Sequence, residues 1–431
     1  MGKSERLSLL ALVSLALLAG CGGSSGNGST GGQSGGGNPA VVTFNFSIGV
    51  PTAVAARIGS GLFTAQTLSS GSLNLSLPSG TTTFSVAYAC TLVSGPINLP
   101  EQFVYEMSTA DGTTFTLPCP TSSSGGQTGI LTGNIDASGI SGATEIDIAA
   151  ANNEQTTVSG IALNGSFRVS APAGSDRVEV LAYNVVQQGF VRPVSLLAAR
   201  NFAGQTVPGE LNAGNTVVLG ATDQTSAQTL AYNNVPTGYT APATSVGLAM
   251  GGAGGFTVGG SLTNQYPALP AGALQSGDVY EFTASASNSS KRTEAAYVLQ
   301  NSSSGGPMTF TFPPAWSFTG PAPSALPTFN VGYAGFSGKS GVIQSASLGW
   351  STALGTTIFY QLSASANYLN GSTTLAFPDL SGLSGFVPPP PSGTTVNWSA
   401  VLLQESAGIL QRNSPNSSAM AVVNSGSYTV P

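Results

Sequence analysis

Beyond its first forty residues the chain alternates apolar and polar positions with a period of two, and helical periodicity is almost absent. Val42-Thr43-Phe44-Asn45-Phe46, Leu73-Asn74-Leu75-Ser76-Leu77, Phe84-Ser85-Val86 and Glu145-Ile146-Asp147-Ile148 are clear cases. In a β-strand successive side chains point to opposite faces, so this pattern describes strands with one face buried and one face wet. The runs are short and bounded by Gly, Pro, Asn and Ser, with 57 glycines and 27 prolines in 431 residues. Short strands at such spacing predict an all-β chain of antiparallel sandwiches.

The strands also repeat. Gly71-Ser-Leu-Asn-Leu-Ser-Leu-Pro78-Ser-Gly80 matches Gly165-Ser-Phe-Arg-Val-Ser-Ala-Pro172-Ala-Gly174, and alternation continues past each turn through Phe84 and Val86 or Val178 and Val180. Proline fixes φ and glycine supplies positive φ, so each copy reads as a hairpin closed by a Pro-x-Gly turn. Downstream, Val279-Tyr-Glu-Phe-Thr-Ala-Ser-Ala-Ser-Asn288 aligns with Phe359-Tyr-Gln-Leu-Ser-Ala-Ser-Ala-Asn367. Glycine-led strands follow, Gly306 to Pro313 and Gly371 to Pro378, and then Phe329-Asn330-Val331 and Val396-Asn397-Trp398. These matches suggest a degenerate tandem duplication over roughly 245–431, and a division into sandwiches at 40–124, 125–222, 223–345 and 346–431. Several modules are expected on size alone, since single cores stop growing near 250–300 residues.

The stretch from Gly129 to about residue 222 resembles the carboxypeptidase-regulatory, or transthyretin-like, β-sandwich. The likeness rests on Leu131-Thr-Gly-Asn-Ile135-Asp136, Gly142-Ala143-Thr-Glu-Ile146-Asp-Ile148, and Gly165 through Gly174. It implies an Ig-like sandwich of the accessory kind, a module that braces, spaces or binds. Residues 40–120 read as a more divergent copy.

The amino terminus carries an address. A basic start, Met1 to Arg6, precedes an apolar run from Leu7 to Gly20, too short for a helix across a bilayer. That run ends Leu18-Ala19-Gly20-Cys21, which resembles the lipobox of bacterial lipoproteins. The resemblance implies a signal peptide over 1–20, cleavage before Cys21, and acyl chains on that cysteine anchoring the protein to a membrane. The alternative is an ordinary secretory leader with a chance cysteine. Residues 21–39 form a linker: from Gly22 to Asn38 every residue is Gly, Ser, Thr, Asn or Gln, a composition that behaves as a flexible coil. Gly22, in place of Asp, fits sorting to an outer membrane or cell surface of the envelope. With Cys21 lipidated, Cys90 and Cys119 remain as an even pair in an oxidising compartment and are expected to form a disulfide, two buried free thiols being the alternative.

Composition narrows the chemistry. The chain has no histidine, which removes Ser-His-Asp and Cys-His catalysis. Charged residues make up 6% of the chain, against about 25% in ordinary soluble proteins, and the net charge is −6. No basic patch exists to neutralise phosphates, so no nucleic-acid partner is expected. No cofactor or metal is expected either. Gly338-Lys339-Ser340 lacks the upstream glycine of a phosphate loop, since Tyr333 stands there. The carboxylates Glu145 with Asp147, and Asp176 with Glu179, could serve a glycosidase, but solvated strand faces are the reading preferred, since sandwich strands must carry polar residues outward.

Three readings of function follow. The leading one is a lipid-anchored envelope protein of tandem sandwiches without catalysis, serving structure, adhesion or spacing, with the membrane and an envelope protein as partners. The second is a glycan- or cell-wall-binding module using Trp316, Trp350, Trp398, Tyr360 and Tyr368, all in the C-terminal half. The third is a carboxylate-dependent hydrolase.

Overall fold

The computed structural model describes residues 40–431, apart from 48, 95–96, 120–127, 153, 175–176, 186–193, 206, 251–254, 262–263, 301–305, 337, 339, 354 and 411–415. Cys21, the leader and the linker lie outside the described residues. The chain is all-β, and its strands fall into four successive modules.

In the first module the strands are β1 (Ala40–Ser47), β2 (Ala53–Ile58), β3 (Thr64–Ala65), β4 (Ser72–Leu77), β5 (Thr83–Ser94), β6 (Ile97–Ser108) and β7 (Thr114–Pro118). The first strand pairs antiparallel with the fourth and parallel with the seventh, while the second lies between the third and fifth and the fifth beside the sixth. Two sheets, β4-β1-β7 and β3-β2-β5-β6, thus face each other.

The same wiring recurs three times. The second module runs through β8 (Thr128–Asp136), β9 (Glu145–Asn152), β10 (Glu154–Ile161), β11 (Asn164–Pro172), β12 (Arg177–Val185) and β13 (Val194–Ala203). Two short strands, β14 (Gly209–Glu210) and β15 (Thr216–Val218), share its seventh place. The third module has β16 (Ser226–Asn233), β17 (Ala243–Ala249), β18 (Gly255–Ser261), β19 (Gln265–Ala268), β20 (Val279–Asn288), β21 (Lys291–Gln300) and β22 (Met308–Thr311). In the fourth, β23 (Thr328–Asn330), β24 (Val342–Ser351), β25 (Thr357–Ser365), β26 (Thr374–Ala376), β27 (Thr395–Glu405) and β28 (Ser417–Thr429) occupy the first six places. A four-residue helix, α1 (Ala366–Leu369), follows β25; Ser365 Oγ caps it by accepting from the Tyr368 amide, and Asn370 closes it at φ +46°.

This wiring corrects two readings of the repeats. The Pro78-x-Gly80 turn does not close a hairpin, because β4 pairs with β1 and β5 with β2 and β6. The chain crosses between facing sheets there, and β11 to β12 does the same. Gly80 and Gly174 hold φ of +82° and +78°, so the turn chemistry was legible, but a turn does not say which sheet the next strand joins. The match of Val279–Asn288 with Phe359–Asn367 relates a fifth strand, β20, to a third strand, β25. Alternation specifies a face and not a place in the sheet. The fourth module also begins at β23, ahead of residue 345, and Trp316, Phe329 and Val331 lie in its core.

The four larger sheets join edge to edge into one sheet of sixteen strands, in the order β10-β9-β12-β13, β18-β17-β20-β21, β28-β27-β24-β25, β6-β5-β2-β3. The modules therefore lie in the order second, third, fourth, first. The third and fourth meet along β21 and β28 over eight register pairs, Lys291↔Asn424 to Val298↔Ser417. The fourth and first meet through the parallel pair β25 and β6. The second and third touch at Ser195↔Gly259.

Many strands of this sheet are buried on both faces. Phe84, Val86, Tyr88 and Cys90 of β5 enter the first module's own core, whereas Ala87 and Ala89 enter the fourth's. In β12, Val178, Val180 and Ala182 serve the second module's core, while Leu181 and Tyr183 serve the third's. The small sheets of the first and second modules thus cover one face at its two ends, and those of the third and fourth cover the other face in the middle. Only nine peptide steps separate Cys119 of the first module from Thr128 of the second, a reach of at most about 32 Å. Laid flat, the eight intervening strands alone would span about 38 Å. So short a link fits a twisted, curved sheet better than a flat one.

Candidate functional site

Charged side chains are scarce, and most of the buried ones gather where modules meet. At the first–fourth seam Arg57 on β2 forms an ion pair with Glu106 on β6. Its Nη2 also donates to Ser85 Oγ (3.1 Å) and to Tyr368 Oη of α1 (2.9 Å), and the guanidinium lies 4.8 Å from the centre of the Phe63 ring. Asn367 donates to Asp111 Oδ1 (2.7 Å). Gln102 and Val387 exchange two hydrogen bonds of 3.3 and 3.1 Å, so that the amide side chain imitates one more rung of the sheet. Burial raises the Glu106 carboxyl, with Arg57 opposing the shift.

At the second–third seam a single guanidinium holds two carboxylates. Arg177 binds Asp278 bidentately, Nη1 to Oδ1 at 2.6 Å and Nη2 to Oδ2 at 2.8 Å. On its other side Nε and Nη2 donate to Glu179 Oε1 at 3.2 and 2.8 Å. Asn201 donates to the same oxygen, and Gln275 donates to Asn201 Oδ1 at 2.7 Å. Glu179 Oε2 is buried without a hydrogen-bond partner. Arg177 is 7% exposed, and Glu179 and Asp278 are fully buried. Nearby, Tyr183 Oη donates to Thr257 O at 2.5 Å, and Arg200 grips Asp223 in the connection between the two modules at 2.8 and 2.6 Å.

Two buried glutamates titrate far from the usual carboxylate range. Burial pushes Glu179 up to about 7, with Arg177 opposing, and pushes Glu101, opposite Cys90 on β6, up to about 7 as well. Each folded-state value lies above that of the unfolded chain, so folding favours the protonated form, and its contribution is lost as pH rises between about 4.5 and 7. We therefore expect the melting temperature to fall from pH 5 to pH 8, as the two groups together lose on the order of 5 kcal/mol of stability. Thermal unfolding followed by circular dichroism at fixed ionic strength checks this; a melting temperature that rises over the same range contradicts it.

The residues singled out in the sequence fall as follows. Cys90 and Cys119 form a disulfide, Cα to Cα 5.7 Å. Glu145 and Asp147 share a face of β9, but that face is not solvated: Asp147 is 8% exposed and accepts from the Gly160 amide. The third module covers that side of the sheet, where Ala149, Leu181 and Tyr183 join its core. Asp176 and Lys339 lie outside the described residues, while Gly338 and Ser340 line a cavity of about 330 Å³ with Gln404, Glu405 and Ser418. Among the described residues no cluster of three or more His, Cys, Asp or Glu is placed to hold a metal, and no helix is long and apolar enough to cross a membrane.

The C-terminal aromatics form no exposed row. Trp316, Trp350 and Tyr360 are buried, and Trp398 is half-buried against Phe318 and Phe329 at ring distances of 5.6 and 5.9 Å. Gly320 and Gly426 make room for the Trp398 ring: a Cβ on Gly426 would stand 2.7 Å from Trp398 Cζ2. Gly426→Ala should therefore destabilise the fourth module by about 1–3 kcal/mol, read as a lower denaturation midpoint with an unchanged slope. A midpoint equal to the parent's would show that the ring has room to shift.

The sequence reading missed the seams. The available signal was alternation of large with small apolar residues, as in Val54-Ala55-Ala56 and Val86-Ala87-Tyr88-Ala89, which marks a strand buried on both faces.

No protein-family description matches the chain, and no curated protein matches it. Among solved structures it is similar to a candidate adhesin from Bacteroides ovatus, at 8% identity over 42% of this chain and 89% of that one, with a TM-score of 0.17. A leucine-rich repeat protein from Bacteroides thetaiotaomicron matches at 13% identity over 42% of this chain, which spans about a quarter (26%) of that protein, with a TM-score of 0.14. A Streptococcal ancillary pilin matches at 8% identity over 64% and 99% of the two chains, with a TM-score of 0.13. At such scores these likenesses carry no argument for what the chain does.

Proposed function

We propose that the chain is a lipid-anchored envelope protein whose β-sandwich modules form one stiff body with a structural, adhesive or spacer role, and that it performs no catalysis. The observation that carries this reading is the sixteen-stranded sheet running through all four modules. A body welded in this way presents its surfaces at fixed positions relative to one another. Much of its sparse charge is committed to the seams: Arg57 with Glu106, and Arg177 with Glu179 and Asp278. The anchor is Cys21, and the Gly/Ser-rich stretch after it acts as the leash. Several acyl chains on one cysteine hold a protein firmly where a single chain holds it only marginally.

The test is fractionation of cells expressing the full chain beside its Cys21→Ser variant, with labelled palmitate. The parent should carry label and sediment with membranes, and the variant should lose both properties. A variant that still sediments and labels overturns the anchor. Hydrolysis by the purified parent, abolished by one carboxylate substitution, overturns the non-catalytic role.

A further inference from the structure

We propose that the seam between the second and third modules is a proton-held latch, in which Glu179 and Asp278 share the charge of Arg177 and one proton, and loss of that proton loosens the seam. The argument begins with counting. Two fully buried carboxylates face one guanidinium, so the cluster is neutral with one proton present and carries a net negative charge without it. Asp278 takes the bidentate contact and also accepts from the Gln275 amide at 2.8 Å. Glu179 takes the remaining contacts on Oε1 alone, and its buried Oε2 meets no donor. The proton therefore belongs on Glu179, the acid that burial already holds up near neutrality.

Among the described residues no other charge compensates. Facing Glu179 from β13 is Asn201, which is neutral, and across β9 the register partner is Ala149. From the third module come Asp278, the neutral Gln275 and the Ala273 carbonyl, which accepts from Arg177 at 3.4 Å. Arg200, one residue from Asn201, is occupied by Asp223. Among the described residues the same seam also carries the ladder bridge Ser195↔Gly259. The cluster spans this seam, with Arg177 and Glu179 on the second module and Asp278 on the third.

The experiment is hydrogen exchange by mass spectrometry on the full chain from pH 6 to pH 8, corrected for the intrinsic rate of exchange. Protection of peptides covering 195–201 and 271–278 should fall about tenfold over that range, as one proton is lost from a group titrating near 7. Glu179→Gln keeps the shape and the acceptor but cannot ionise, and should hold these peptides at the low-pH level throughout. Glu101→Gln, altering the other buried acid, should leave their pH dependence as in the parent. The proposal is overturned if the parent peptides show no dependence on pH, or if Glu179→Gln retains the parent's dependence. If Glu179→Gln does not fold, the parent's own exchange profile decides the matter alone.

Discussion

Replacing Arg177 with methionine should lower stability by about 3–5 kcal/mol, because it removes the positive charge that faces two buried acids and leaves the Asp278 carboxylate uncompensated. The effect should be far larger than that of neutralising an exposed pair, which is worth about 0–1 kcal/mol. A double-mutant design separates loss of charge balance from loss of packing. In the Arg177→Met background, adding Glu179→Gln and Asp278→Asn should restore much of the lost stability, since no buried charge then remains at the seam. Denaturant unfolding of the parent and the two variants gives the comparison. If the triple variant is no more stable than Arg177→Met, the contribution of Arg177 is packing and the electrostatic account of the seam fails.

Loss of the Cys90–Cys119 disulfide should cost about 3–4 kcal/mol, from the entropy released to the unfolded chain when a loop of 29 residues' separation is opened. Both cysteines are buried in the first module's core, together with Phe44, Phe84 and Tyr88, so Cys90→Ala with Cys119→Ala also leaves a small packing defect. The first module shares strands and core residues with the fourth, and the loss should therefore lower the unfolding transition of the whole body, as calorimetry of the oxidised and reduced forms would show. A reduced protein that melts as the oxidised one does would mean that the shared core, and not the cross-link, holds the first module together.

Much of the local structure was legible in residues. The alternation in Leu73 to Leu77 appears as burial of Leu73, Leu75 and Leu77 with Asn74 and Ser76 exposed, and the all-β class follows from many such runs. The connectivity was not legible, because Pro-x-Gly dictates a reversal and is silent on whether the next strand joins the same sheet or the facing one. The seams were hidden for a related reason. Glu179 sits in Val178-Glu179-Val180, a pattern that reads as a solvated outer face. It is buried because another module, about a hundred residues on, brings Asp278 to the far side of Arg177. Asp147 misleads in the same way. Long-range cover of a strand's second face leaves only a faint local signature, the substitution of alanine for polar residues at alternate positions, as at Ala55, Ala87 and Ala89. The aromatics of the C-terminal half are ambiguous in sequence because a core and a binding row call for the same residues. Only the position of Phe318, Phe329, Gly320 and Gly426 around Trp398 resolves that case.

The claim that four modules share one sheet is tested most directly by small-angle X-ray scattering of the chain without its leader and linker. A single compact body of this length should give a radius of gyration of about 21–23 Å. Four sandwiches strung end to end as independent beads would give about 40 Å or more, which would contradict the account.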